Sequence, residues 1–331
     1  MTSYVANWRE VLTTTNLSEG KPVDFVSRWL ILTRAAVFPM TLTSGLIGGL
    51  LAAGHPNANW KFFTVSILGL VAAHACNNLM NDYFDLEGGV DQSDSPRALY
   101  APHPVLAGWI SKRGLIGAIA LFNALGALVL AYLFAVRGWP IVAFAAAGLF
   151  ISVFYVAPPL KLKHHGLGEP GVFIVWGPLM IGGTYYVTTG EIPAWVFAAS
   201  LPYAILVTAV LVGKHVDKLD HDSRKGIHTL PVLIGAPAAL ALNRGLIVSF
   251  YVVSALLVLS GTLGPWVLLV VGSLPLLRKV WKIYSEPKPA VPPPRYPIWP
   301  LWYVAAAFVL TRRAGALFLL GLVLNRLAPL V

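Results

Sequence analysis

The sequence predicts an all-α, polytopic membrane protein of about nine transmembrane helices, and three observations predict it. Of 331 residues, 57% are hydrophobic and 11% are charged, less than half the share of about 25% found in ordinary soluble domains. The charges gather in short clusters separated by apolar runs of about 20 residues, the length that crosses a ~30 Å hydrocarbon layer. Lys and Arg concentrate at alternate ends of those runs, as they do where cytoplasmic loops carry the positive charge.

Residues 1–27 read as a cytoplasmic N-terminal segment, because Arg9, Glu10, Glu19, Lys21 and Asp24 leave no apolar core for a cleavable signal. Residues 28–331 read as a single transmembrane domain. Its first run, 29–53, directs insertion. The second, 61–85, starts at Lys61 and ends in an acidic cluster. The third, 110–136, lies between Lys112 and Arg137, and the fourth, 139–157, stops at Pro158-Pro159. The fifth, 168–188, starts beside Glu169, and the sixth, 194–214, runs from Pro193 to Lys214. The seventh and eighth are 237–260 and 263–283, the latter ending in Arg278, Lys279 and Lys282. Seven prolines between Pro287 and Pro300 predict a cytoplasmic loop at about 286–300, since each removes a backbone donor. Segment 301–311 is too short to span and is expected at the interface, ahead of Arg312-Arg313 and a ninth span, 314–331. Counting basic residues places the N-terminus and the loops after spans two, four, six and eight in the cytoplasm.

The formal charge of +10 does not imply nucleic acid, because the basic residues are dispersed among apolar spans instead of forming one face. Cys76 is the only cysteine, which excludes intrachain disulfides and cysteine metal cages. The P-loop, the G-x-S-x-G elbow and the nucleotide-binding glycine fingerprint are all absent from the sequence.

Two acidic clusters carry the chemistry. Asn78, Asn81, Asp82 and Asp85, at i, i+3, i+4 and i+7, put two amides and two carboxylates on one helix face at the end of span two, with Asp91 following Gly88-Gly89. Such a face cannot point at lipid, and neighbouring carboxylates repel unless a cation lies between them. Oxygen-only ligands suit Mg²⁺ or another hard ion. The second cluster, Lys214 to Pro231 at the end of span six, interleaves Asp217, Asp220 and Asp222 with Lys218, Arg224 and Lys225. Carboxylates for a metal and cations for anionic oxygens together suit a diphosphate.

These residues resemble the intramembrane prenyltransferases of the UbiA superfamily. Asn81-Asp82-Tyr83-Phe84-Asp85 with Asp91 resembles the first Asp-rich motif, and Asp217 to Asp222, followed by Gly226 and Thr229-Leu230, the second. Tyr155-Val-Ala-Pro158-Pro159-Leu160-Lys161-Leu-Lys163, with Gly166 to Glu169, Gly177-Pro178 and Gly182 to Tyr186, is similar to the dihydroxynaphthoate-prenylating branch; its first part also resembles chlorophyll synthases. The similarity extends from about residue 28 to 325. Two departures stand out: the second motif's D-x-x-x-D spacing has Lys218 four residues before Asp222, and Pro159 occupies the basic position of Tyr-x-x-x-Lys/Arg.

The resemblance implies that the helices are bundled around a central cavity, and it implies Mg²⁺-dependent transfer of a polyprenyl chain from its diphosphate, through an allylic cation, to an aromatic acceptor of dihydroxynaphthoate type. It implies quinone biosynthesis in the bilayer of a bacterial plasma membrane, with the site facing the cytoplasm. Asp82, Asp85, Asp217 and Asp222 are then the expected catalytic carboxylates. The expected metal ligands are Asn81, Asp85, Asp91, Asp217, Asp220 and Asp222, with one ion on each motif. Arg34, Asn78, Arg97, Tyr155, Lys161, Lys214 and Arg224 are expected to bind substrate, and Tyr155, Trp176, Tyr185 and Tyr186 to line a dry chamber where ring faces stabilise the cation. Arg34 either snorkels to headgroups or enters the cavity. Other readings are the same donor chemistry on a chlorophyllide-type, lipid or sugar-phosphate acceptor, and a cation-coupled transporter, which would place its carboxylates nearer the bilayer midplane.

Overall fold

A computed structural model describes residues 4–329, and the end of the expected last span, 330–331, lies outside them. The described residues form helices joined by loops, with one isolated bridge between His165 and His228. In chain order the helices are α1 (Tyr4–Thr14), α2 (Phe25–Leu32), α3 (Phe38–Ala52), α4 (Trp60–Glu87), α5 (Pro96–Tyr100), α6 (Lys112–Arg137), α7 (Trp139–Phe154), α8 (Gly168–Ile174), α9 (Gly183–Thr189), α10 (Ala194–Asp217), α11 (Leu219–Arg224), α12 (Leu230–Ile234), α13 (Ala236–Leu259), α14 (Leu274–Ser285) and α15 (Tyr303–Leu327).

Seven of the described segments are long and apolar enough to cross a membrane: Ala35–Ala52, α4, α6, Gly168–Thr189, α10, α13 and α15. The expected spans 139–157 and 263–283 correspond to the shorter α7, of 16 residues, and to a rod made of a 3₁₀ stretch, Pro265–Ser273, running into α14. The count of nine is therefore not reached by length and composition alone.

Three departures from the sequence reading have identifiable causes. The first span is broken: α2 ends, Arg34 takes a left-handed conformation (φ 54°, ψ 46°), and a 3₁₀ turn, Ala35–Val37, leads into α3, whose first turn carries Pro39. Asn78 on α4 donates to the Thr33 carbonyl at 2.9 Å, satisfying an acceptor that the break exposes. The fifth span is continuous, but Val175–Gly182 is wound as a π-helix around Pro178. Proline supplies no N–H, and the Trp176 carbonyl accepts from Ser44 Oγ at 2.7 Å. The third departure is at the C-terminal end. Residues 303–313 are not a separate interfacial segment; they are the first turns of α15, anchored by buried Tyr303, Ala306, Ala307 and Leu310. Arg312 and Arg313 therefore lie in mid-helix, both exposed, with Arg312 over the Phe308 ring at 5.7 Å.

The N-terminal segment belongs to the same body. α1 packs on α2 through buried Asn7 and Val11, and Trp8 Nε1 donates to Asp24 Oδ1 at 3.0 Å.

At the centre stands α10, buried along nearly its whole length and packed on α3, α8, α13, α15 and the π segment. Small residues let backbones approach it, as membrane helices require in the absence of a hydrophobic driving force between them. A Cβ on Gly213 would lie 2.8 Å from Tyr284 Oη and 3.0 Å from the Val304 nitrogen. By contrast α6 fully buries only Leu115, Ala118 and Leu133; one face packs on α4 and the apolar cavity, and the other is exposed. This arrangement brings the ends of α4 and α10, with the two acidic clusters, to the same end of the bundle.

Candidate active site

The last turns of α4 carry Asn81, Asp82 and Asp85, all buried. Asp82 is saturated: Arg97 Nε and Nη2 reach its two oxygens at 3.0 and 2.9 Å, and Arg34 pairs with Oδ1 as well. A bidentate guanidinium fixes geometry as well as charge. His103 Nε2 lies 3.2 Å from the Asp82 carbonyl and 3.9 Å from Asp91. Ligand atoms of Asp82, Asp91 and His103 fall within 4.8 Å of one another, but the two guanidiniums on Asp82 make it an anchor for Arg34 and Arg97 instead of a free ligand. The structure thus settles Arg34 inside the protein and not at the headgroups.

Asp85 meets Lys163, whose Nζ reaches both carboxylate oxygens at 2.6 and 2.8 Å. Lys163 sits on a 3₁₀ turn, Leu162–His164, set by Lys161 in a left-handed conformation (φ 41°, ψ 55°). The turn faces Lys163 inward and leaves Lys161 out of the pocket wall, so the basic residue expected at Lys161 is provided by Lys163. Burial, aided by neighbouring Asp85, raises the Asp91 carboxyl above the usual range.

The second cluster is divided. Asp217 turns away and caps α15, accepting from the backbone nitrogens of Trp302, Tyr303 and Val304 at 2.9, 3.1 and 2.9 Å, with Lys288 at 3.5 Å. Asp220 and Arg224 are exposed. Asp222 is buried, with Lys218 Nζ at 3.4 Å from Oδ1. Of the three aspartates, the structure brings only Asp222 to the site, and the expectations for Asp217, Asp220 and Arg224 are corrected accordingly. The two clusters do converge: His221 Nε2 lies 3.2 Å from the Val90 carbonyl, and Lys225 donates to the Gly89 carbonyl at 2.9 Å, tying α11 to the loop after α4.

The result is a small polar pocket walled by Arg34, Asn81, Asp85, Asp91, Arg97, Tyr100, Tyr155, Lys163, Lys214, His215 and Lys218. It shares Arg34, Asn81, Tyr100, Tyr155 and Lys214 with an apolar cavity of about 620 Å³ that runs between α3, α4, α6, α7 and the π segment, a size typical of small-molecule sites. Trp176 and Tyr155 line this cavity. Tyr185 and Tyr186 do not; they pack against Trp195 and Phe144. Reasoning from sequence also missed a buried pair in the pocket wall: His215 Nδ1 lies 2.7 Å from Glu169 Oε1, and His215 Nε2 lies 3.4 Å from the Tyr155 hydroxyl. The only sequence signal for it is a Glu in the first turn of an apolar span.

A divalent cation fits the α4 side. Asn81 Oδ1 and Asp91 Oδ1 are buried without hydrogen-bond partners, and among the described residues Asp91 is the pocket carboxylate that no Lys or Arg pairs. Unpaired buried oxygens of this kind are costly unless a water or an ion meets them.

A sequence profile described as the UbiA prenyltransferase family matches residues 41–301. The 2-carboxy-1,4-naphthoquinone phytyltransferase of Synechocystis sp. is 27% identical over 260 residues, 76% of this chain and 80% of that protein. The 1,4-dihydroxy-2-naphthoate octaprenyltransferase of Bacillus subtilis is 25% identical over 246 residues, 72% and 76% of the respective chains. Among solved structures, a UbiA homolog from Archaeoglobus fulgidus bound to GPP and Mg²⁺ superposes with a TM-score of 0.61 at 17% identity, over 88% of this chain and 99% of that one.

Proposed function

Because the chain belongs to the UbiA prenyltransferase family, and is accordingly a prenyltransferase, we propose that it transfers a polyprenyl chain from its diphosphate to an aromatic acceptor of dihydroxynaphthoate type. The observation that carries the donor half is the pocket: five cationic side chains, Arg34, Arg97, Lys163, Lys214 and Lys218, wall it, and two of them, Arg34 and Lys214, also line the adjoining apolar cavity. An anionic headgroup with a long hydrocarbon tail needs that adjacency. The acceptor half is supported by the two naphthoate-acting relatives. A magnesium ion held by Asn81, Asp85 and Asp91 would supply Lewis-acid stabilisation to the departing diphosphate.

The chain's own groups do the rest. Lys163, Lys214, Lys218 and Arg34 neutralise charge as it builds on the leaving oxygens when the allylic C–O bond breaks, an electrostatic contribution strengthened by a site that excludes water. The apolar cavity keeps water from the allylic cation, and the ring faces of Tyr155 and Trp176 stabilise it. His215, oriented by Glu169, takes the proton that the alkylated ring loses, directly or through the Tyr155 hydroxyl. The asymmetry of Lys and Arg supports a pocket on the cytoplasmic side, and the bacterial sources of the two naphthoate relatives support a bacterial plasma membrane.

Product masses from purified protein given a panel of prenyl diphosphates with naphthoic, phenolic and glycerol-phosphate acceptors test this reading. Prenylated dihydroxynaphthoate is the expected product, and Asp85→Ala is expected to abolish it while the protein still inserts. Transfer only to the glycerol phosphate, or full activity of that variant, would overturn it.

A further inference from the structure

We propose that this enzyme engages its donor's diphosphate with one divalent cation, on the α4 side of the pocket, and that the Lys218 ammonium supplies the positive charge on the opposite, α10–α11 side. The inference rests on the diphosphate reading given above, and replaces the sequence expectation of one ion on each motif.

The carboxylates of the α10–α11 side are accounted for one by one. Asp217 accepts three backbone N–H groups at the start of α15, and removing it from that role would uncap the helix. Asp220 is exposed. The remaining carboxylate, Asp222, has Lys218 Nζ against it, and Lys218 is itself buried, within electrostatic reach of Asp85 and Asp91 as well. A divalent ion on Asp222 would have to sit beside a buried ammonium of like charge or expel it. The α4 side differs in what an ion would meet. The Asp222 oxygens, like those of Asn81 and Asp91, have no hydrogen-bond partner, and Asp85 is held by Lys163, but Asn81 and Asp91 together offer two oxygens that no Lys or Arg of the described residues pairs, whereas the α10–α11 side offers none.

The test counts ions. Mn²⁺ replaces Mg²⁺, and protein-bound Mn²⁺ is measured by electron paramagnetic resonance on the purified full chain saturated with inorganic diphosphate, against a protein-free control. One Mn²⁺ per chain is expected, rising to two in Lys218→Asp. Because that variant places another carboxylate in a buried acidic cluster and its fold is at risk, Lys218→Met provides the second arm: it keeps the aliphatic stem, is expected to hold one Mn²⁺, and is expected to bind diphosphate at least tenfold more weakly. Two Mn²⁺ in the unaltered chain, or unchanged diphosphate affinity in Lys218→Met, would overturn the inference while leaving prenyl transfer intact. Absence of diphosphate binding in the unaltered chain would overturn both.

Discussion

Lys161 and Lys163 are two residues apart, and their backbone conformations decide which one acts. The left-handed Lys161 starts the turn that carries Lys163 to Asp85. Removing one partner of a buried ion pair leaves the other uncompensated, at about 3–5 kcal/mol. Lys163→Met is therefore expected to lower unfolding stability by about that much and to abolish transfer, whereas Lys161→Met changes stability by less than ~0.5 kcal/mol; thermal unfolding in detergent separates them. Asp217→Ala should cost the ~0.5–2 kcal/mol of a lost N-cap and leave Mn²⁺ binding unchanged. Asn81, Asp85 and Asp91 were legible in the sequence, because the helical period alone puts the first two on one face. The role of Asp217 was not, since its partners are backbone groups 85 to 87 residues away that no local pattern encodes. The same holds for His215 and Glu169, joined only when α8 packs on α10.

At the level of helices, the π segment is where α3 comes nearest. A Cβ on Gly48 would lie 2.6 Å from the Ile181 carbonyl oxygen and 2.9 Å from Thr184 Cβ. Gly48→Ala is expected to cost about 1–3 kcal/mol by forcing these backbones apart, read as a lower unfolding temperature. The N-terminal helix depends on Asp24. Burial opposes its ionisation, but hydrogen bonds from Ser27, Trp8 and Val26 outweigh this and hold the carboxyl at about 2. Since that lies below the usual carboxylate value, the contribution is complete above about pH 4 and is lost as pH falls through 2. Trp8 fluorescence should accordingly stay constant from pH 7 to 4 and change toward pH 2, and Asp24→Ala should show the shifted signal at pH 7. Span positions for α4, α6, α10 and α13 were readable from apolar length. The break at Arg34 and the continuity of α15 were not, because an ion pair with Asp82 and the packing of Tyr303 to Leu310 decide them.

For the whole molecule, the proposed function makes the apolar cavity the limit on how much donor tail is accommodated. Gly148 lines it with open space where a Cβ would stand. Gly148→Phe is expected to shift product masses toward shorter chains when donors compete, without affecting diphosphate affinity; an unchanged product distribution would place the tail elsewhere. The guanidiniums of Arg312 and Arg313 have a wider consequence. Exposed arginines partway along a helix belong at the headgroup level and not among acyl chains. The stretch from Tyr303 to Arg312 rises about 14 Å, so the start of α15, capped by Asp217, stands that far along the helix from the level of those guanidiniums. On the function proposed above, the two reactants would meet from different directions, the donor tail arriving sideways from the membrane and the polar acceptor ring descending from the water.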